Sequence, residues 1–98
     1  MNHLRFDDIY IGLDSEFSVE IIEPMLKNFL AISDDRNPLH TDQVFARAMG
    51  FNDKVVYGLL TSAFYSTFVG MYLPGRNGIL HSAAIDFVRP VYVGDRLT

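Results

Sequence analysis

The residues best suited to chemistry lie in one short segment, Asp35-Arg36-Asn37-Pro38-Leu39-His40. Pro38 disfavours helix in the residue before it, so Asp35 and His40 can converge from both ends of a turn. A carboxylate and an imidazole are the usual pair for adding water to a double bond, because that reaction needs one proton taken from water and one given to carbon. From spacing alone, a structural role is favoured, with Asp35 capping the turn and His40 capping the next helix or packing in the core.

No other set of side chains has the spacing of a site. His3 and His81 are isolated, and without cysteine or a third ligand we expect no metal, no disulfide and no cofactor. Gly70–Gly75 lacks a phosphate-loop pattern. The net charge of −4 and the absence of basic clusters argue against nucleic acid or an anionic membrane as a partner.

The elements before the Asp–His segment are predicted from hydrophobic periodicity. Alternation with period two over Phe17–Ile21 predicts a strand. Glu23 and Pro24 favour the start of a helix, and the Ser33–Pro38 segment ends it. The apolar stripe of this helix is predicted to face the core and comprises Met25, Phe29 and Ile32.

Two further helices are predicted after the pair. Thr41 is expected to cap a short helix over Asp42–Met49 that Gly50 stops. The longest helix is predicted from Gly58 to Leu73, and it has almost no polar face, so other structure should wrap it.

The last part of the chain is predicted to form strands. Ile79–Val88 and Val91–Val93 have strand patterns, and Gly94-Asp95 is predicted to form a two-residue hairpin turn. Arg96–Thr98 would then open a returning strand.

Length and composition fit one small domain over residues 1–98. Hydrophobic residues make up 49% and charged residues 20%, which is ordinary for a globular protein. Met1–Phe6 contains no basic-then-apolar run, and Val55–Leu73 is interrupted by polar residues. We therefore expect a cytoplasmic protein without a signal peptide or a membrane span.

Three ordered segments resemble the MaoC-like dehydratase family, the (R)-specific enoyl-CoA hydratases. They are Phe29–Asp42, Val55–Leu60 and Phe87–Asp95. The resemblance implies a hot-dog fold of the α+β class, in which an antiparallel sheet wraps a long central helix. It also implies hydration of trans-2-enoyl thioesters to (R)-3-hydroxyacyl thioesters, or the reverse dehydration, on a CoA or acyl-carrier-protein thioester.

Site roles follow from this resemblance residue by residue. Asp35 and His40 match the pair that activates water, and Gly58 matches the glycine whose N–H holds the thioester oxygen. Ser66 matches a polar position near the site, although a helical serine often bonds its own backbone. Asn37 is expected to keep the loop in shape.

Two positions depart from the family pattern. Tyr57 stands where many members carry His, and Asp34 where many carry Gly. Neither change removes a proton-transfer group. Tyr57 is expected to narrow or re-polarise the mouth of the pocket, which affects substrate preference more than reaction type.

Relative to the family, the chain is expected to lack the closing strands of the sheet. An open edge beside a buried helix predicts a homodimer or higher homo-oligomer and a poorly stable monomer. Two alternatives to the enzyme stay open. One is a module that binds acyl thioesters or pairs with a complete subunit without turnover, and the other, ranked last, is a hot-dog thioesterase.

Overall fold

A computed structural model of the chain describes residues 1–98 throughout. Four α-helices and two short strands account for the regular structure, together with a 3-10 turn at Phe6–Asp8 and a π-helical turn at Phe68–Tyr72. In chain order the named elements are β1 (Val19–Glu20), α1 (Glu23–Ser33), α2 (Pro38–Thr41), α3 (Gln43–Ala48), α4 (Gly58–Thr67) and β2 (Arg96–Leu97).

Helix α1 begins and ends as predicted. Glu23 and Pro24 occupy its first turn, and Asp34 ends it in the left-handed region with φ 55°. One part of the predicted stripe is wrong, because Ile32 is 83% exposed and Leu26 is the buried residue of this helix. Ile32 lies in the last turn of α1, whereas the α1 residues that pack against the core are Leu26, Met25, Phe29 and Leu30.

The predicted helix over Asp42–Met49 is present as α3, and a short helix that was not predicted, α2, precedes it. Asn37 caps α2 by accepting a hydrogen bond from the backbone N–H of Leu39, so Thr41 belongs to α2 and does not cap the next helix. The cap of α3 is Asp42, whose Oδ1 accepts from the N–H of Phe45 at 3.1 Å. Gly50 follows α3 with φ 97°, consistent with its predicted role as a stop.

Helix α4 and the π-helical turn that follows it cover nearly the whole predicted Gly58–Leu73 helix. The expectation that this helix is wrapped on all sides is wrong for this chain. Leu60 is buried, whereas Leu59 is 68% exposed and Tyr65 55% exposed. The reason is that the core lies along one side of α4 only, where Ile21, Leu26, Val56, Tyr57 and Leu60 form the buried cluster.

The two strands pair antiparallel, with Val19 opposite Leu97 and Glu20 opposite Arg96. The predicted returning strand is thus present, and the predicted Phe17–Ile21 strand is shortened to β1. The turn before β2 is Tyr92–Asp95, with the Asp95 N–H donating to the Tyr92 carbonyl at 3.0 Å. It leads the chain back to β1 and does not close a hairpin, which corrects the Gly94-Asp95 prediction.

Ile79–Val88 and Val91–Val93 are not strands in this structure. A strand exists only where a second strand accepts its hydrogen bonds, and no backbone hydrogen bond is formed from residue 79 to residue 90. The Val91 carbonyl instead accepts from the N–H of Val56 at 2.8 Å, beside the start of α4.

None of the helices is long and apolar enough to span a membrane.

Candidate active site

The Asp35 side chain projects from a loop whose shape is set by short-range hydrogen bonds. The Asp35 N–H donates to Ser33 Oγ at 3.2 Å, and Asp35 Oδ1 accepts from the Asn37 N–H at 3.1 Å. Asn37 Oδ1 then caps α2. Asn37 therefore shapes the loop, as expected, and the second carboxylate oxygen of Asp35 has no partner within the chain. Arg36 is drawn away to Asp34, at 2.8 Å.

His40 is half-buried, and its ring is oriented by a carbonyl from a distant part of the chain. Its Nδ1 lies 2.6 Å from the Val55 carbonyl oxygen. Because a carbonyl oxygen can only accept, Nδ1 carries the proton, and in the neutral ring Nε2 keeps its lone pair. The backbone reinforces this contact, since the Val55 N–H donates to the Leu39 carbonyl at 3.0 Å.

Tyr57 lies beside this pair and is only 3% exposed. Its hydroxyl donates to the backbone carbonyl of Asp35 at 2.8 Å. Its ring centroid is 4.3 Å from that of His40 and 4.7 Å from that of Phe29. Burial, and to a lesser degree the Asp35 carboxylate, raises the pKa of Tyr57 above its ordinary 10.0, while Lys54 acts in the opposite direction. The phenol is therefore a protonated donor at neutral pH.

Gly58 is the first residue of α4, and neither its N–H nor that of Leu59 has a partner within the chain. Unpaired N–H groups at a helix N-terminus favour a negatively charged oxygen. A Cβ at Gly58 would lie 2.9 Å from two carbons of the Phe87 ring, so only glycine fits here without displacing that ring.

These groups share one cavity of about 360 Å³. Its lining residues are Phe29, Asp35, His40, Val55, Val56, Tyr57, Gly58, Leu59, Thr61, Phe87, Arg89, Pro90 and Val91. Four of the six predicted site residues are thus brought together. Asn37 acts on the loop without lining the cavity. Ser66 is exposed on α4 and is not brought to the cavity.

Two contributors were missed by reasoning from sequence. Val55 fixes His40 through its backbone carbonyl, a group that every residue type carries, so no sequence signal could have found it. Thr61 lines the cavity one turn after Gly58 and donates to the Gly58 carbonyl at 2.6 Å. The spacing of Gly58 and Thr61 on one helix face is the signal that could have indicated it.

The electrostatic surroundings of the pair are sparse. Lys54 binds Glu23 at 2.7 Å, and no cation lies within salt-bridge distance of Asp35. No three His, Cys, Asp or Glu side chains come close enough to hold a metal ion. Proton transfer and hydrogen bonding are the chemistry this arrangement offers.

Comparison with known proteins identifies close relatives. The (R)-specific enoyl-CoA hydratase of Aeromonas caviae is 40% identical over 70 residues, covering 71% of this chain and 52% of that protein. The 3-hydroxybutyryl-CoA dehydratase of Methylorubrum extorquens is 34% identical over 92 residues, covering 94% of this chain and 59% of that protein. The chain therefore spans somewhat more than half the length of these curated relatives.

Solved structures agree with the sequence relatives. The R-hydratase PhaJ1 from Pseudomonas aeruginosa superposes with a TM-score of 0.83 at 33% identity, covering 92% of this chain and 58% of that one. The (R)-hydratase from A. caviae involved in PHA biosynthesis gives a TM-score of 0.78 at 32% identity, covering 89% and 69%. The predicted hot-dog fold of α+β class is confirmed by this likeness.

A family model described as the MaoC like domain matches residues 10–98, nearly the whole chain. The resemblance carried by the three ordered segments is thereby confirmed. This chain belongs to the MaoC-like domain family.

Proposed function

We propose that this chain carries a hydratase site for trans-2-enoyl thioesters, which forms (R)-3-hydroxyacyl thioesters or catalyses the reverse dehydration. The observation that carries the proposal is the meeting of Asp35, His40 and the unpaired N–H of Gly58 in one cavity. The names of the relatives support the same reaction class, since they are hydratases and dehydratases of acyl-CoA and acyl-carrier-protein thioesters.

The geometry supports a division of roles. His40 Nε2 holds a lone pair because Nδ1 donates to Val55, so it can take a proton from water as the water oxygen adds to C3. The free carboxylate oxygen of Asp35 holds the same water by accepting its other hydrogen. Negative charge then passes to the thioester oxygen, which the Gly58 N–H and the dipole of α4 stabilise. The Asp–His pair then returns one proton to C2. The net change is the addition of one water molecule across the C2–C3 double bond.

The test is the loss of enoyl absorbance when crotonyl-CoA is added. Asp35→Asn and His40→Ala should each lower kcat by about a thousandfold, because each removes one proton-transfer group. Asp34→Asn is the matched control, since Asp34 is an exposed neighbour paired to Arg36 and does not line the cavity. Turnover by Asp35→Asn and His40→Ala equal to that of the unmodified chain would contradict the proposal.

A second candidate is a module that binds acyl thioesters without turnover. One wall of the cavity comes from Phe87–Pro90, a stretch without backbone hydrogen bonds, and Phe87 is 57% exposed. Such a wall can accept a ligand without fixing it for reaction. Calorimetry measures whether the chain binds an acyl-CoA. Binding by a chain that does not hydrate crotonyl-CoA would favour this candidate.

We also propose that the chain self-associates. Only 7 of its 98 residues are buried, and large apolar side chains such as Ile11, Ile79 and Val88 are more than four-fifths exposed. Exposed apolar surface on this scale favours association. Sedimentation equilibrium should show a mass that rises with protein concentration, and a monomer at every concentration would contradict self-association. A cytoplasmic location stays a prediction of the sequence.

A further inference from the structure

Tyr57 contacts both members of the Asp–His pair, although it lies 22 residues beyond Asp35 in the chain. Its hydroxyl donates to the Asp35 backbone carbonyl at 2.8 Å, and its ring packs on the His40 ring with centroids 4.3 Å apart. No other side chain makes a hydrogen bond to the loop from outside residues 33–41.

The ring of Tyr57 is itself held in place. It belongs to the buried cluster with Ile21, Leu26 and Leu60, and Phe29 packs on it at a centroid distance of 4.7 Å. Its backbone immediately precedes Gly58 at the start of α4. One buried side chain therefore links the Asp35 loop, the His40 ring and the helix that begins with the oxyanion-binding N–H.

The hydroxyl is already committed to the Asp35 carbonyl, so it has no hydrogen left to donate to a substrate. Tyr57 is buried and lines the cavity together with the pair, and its expected effect on the mouth of the pocket stays a prediction. A residue that only filled space would not need a hydroxyl group, whereas the hydroxyl of Tyr57 makes a hydrogen bond to the Asp35 loop.

We infer that Tyr57 is a positioning residue, whose hydroxyl and ring hold Asp35 and His40 in the arrangement needed for proton transfer. The inference rests on the proposed hydratase function, and it explains how a chain with Tyr at this position keeps the pair aligned. Removing the hydroxyl should loosen the loop while the Tyr57 ring keeps its place in the cavity lining.

The kinetic test compares Tyr57→Phe with Tyr92→Phe. Tyr92 is the matched control, because its hydroxyl accepts a hydrogen bond from the Asn52 N–H at 3.2 Å, outside the cavity. Tyr57→Phe should lower kcat for crotonyl-CoA about fivefold with KM nearly unchanged, and Tyr92→Phe should leave both unchanged. Replacement of Tyr57 by 4-aminophenylalanine restores a donor at the same place and should recover most of kcat.

A second readout does not depend on turnover. In Tyr57→Phe, the Asn37 amide, which donates to Asp35 Oδ1, should exchange with solvent about fivefold faster, as measured by NMR, while amides inside α4 are unaffected. If the unmodified chain does not hydrate crotonyl-CoA, the proposed function fails, and the exchange rates still decide the positioning role. Unchanged exchange and unchanged kcat in Tyr57→Phe would overturn the inference.

Discussion

Residues 34–58 and residues 79–90 both line the cavity, but they are held in very different ways. The first region contains the loop, α2, α3 and the start of α4, and most of its backbone and side-chain hydrogen bonds join near neighbours in the chain. The second region makes no backbone hydrogen bond, and Ile79 and Val88 are 91% and 85% exposed.

The contrast teaches where each kind of order comes from. A cap or a helical turn satisfies its N–H and C=O groups from within a few residues, so residues 34–58 can form their structure locally. A strand must find another strand, and residues 79–90 have none among the 98 residues described. The site is therefore held by hydrogen bonds on the side of the Asp–His pair and lacks backbone hydrogen bonds on the side of Phe87.

The largest expected effect is on the free energy of unfolding, compared between a core residue that packs against the first region and an exposed residue of the second. Ile21 is fully buried in the core beneath the first region, and Ile79 is 91% exposed in the second. Ile21→Ala should lower the free energy of unfolding by about 2 to 4 kcal/mol, because it leaves a cavity. Ile79→Ala should change it by less than about 0.5 kcal/mol. Urea unfolding measures both, and equal losses would show that the second region is packed.

Hydrogen exchange should sharpen the same contrast. Amides of α4 beyond its first turn are bonded within the helix, whereas those of residues 79–90 have no acceptor in the chain. We expect protection of the α4 amides at least about tenfold greater. Mass spectrometry of peptides from the two regions would measure the difference. Equal protection would mean that residues 79–90 are paired in solution.

A glycine pair tests the contact between the two regions. Gly58→Ala brings a Cβ to 2.9 Å from the Phe87 ring, while a Cβ at Gly70 meets nothing within 4 Å. Gly58→Ala should change the unfolding free energy by less than about 1 kcal/mol, because an exposed ring can move, yet it should lower kcat/KM. Gly70→Ala should raise stability by about 0.5 to 1 kcal/mol and leave kcat/KM unchanged. Equal kcat/KM in both variants would remove Gly58 from the site.

The smallest effect concerns pH. The pKa of Tyr57 is raised in the folded chain above 10.0, so between the two values the unfolded chain loses the phenolic proton first. The contribution of the protonated Tyr57 phenol to folding stability is therefore complete below pH 10, and it is lost as the pH rises through the pKa of the folded chain. Urea unfolding at several pH values between 8 and 11 should show a steeper decline for the unmodified chain than for Tyr57→Phe. Equal slopes would indicate that the Tyr57 pKa is not raised.

Much of the site follows from local sequence. Asn37 followed by Pro38 begins α2, and this fixes the course of the chain between Asp35 and His40. Pro24 starts α1 as the sequence predicts. Each of these outcomes depends on groups within a few residues of one another. The start of α1 is predicted from the sequence for this reason, whereas α2 and its Asn37 cap are equally local features that the prediction missed.

Tertiary structure decided the features that join distant residues. The Val55 carbonyl sets the tautomer of His40 from 15 residues away, and the Tyr57 hydroxyl reaches Asp35 across 22. The position of Ser66 outside the cavity depends on how α4 lies against the core, which its helical pattern does not specify. The failure of residues 79–88 to form a strand has the same cause, since pairing is a property of two segments and a sequence pattern describes only one.

The Asp35–His40 spacing was thus determined by the sequence alone. Which nitrogen of His40 is free, what holds the Asp35 loop, and how close Phe87 comes to Gly58 were decided by folding. The physical reason is that caps and turns are closed by neighbouring atoms, whereas orientation within a site depends on contacts made across the chain.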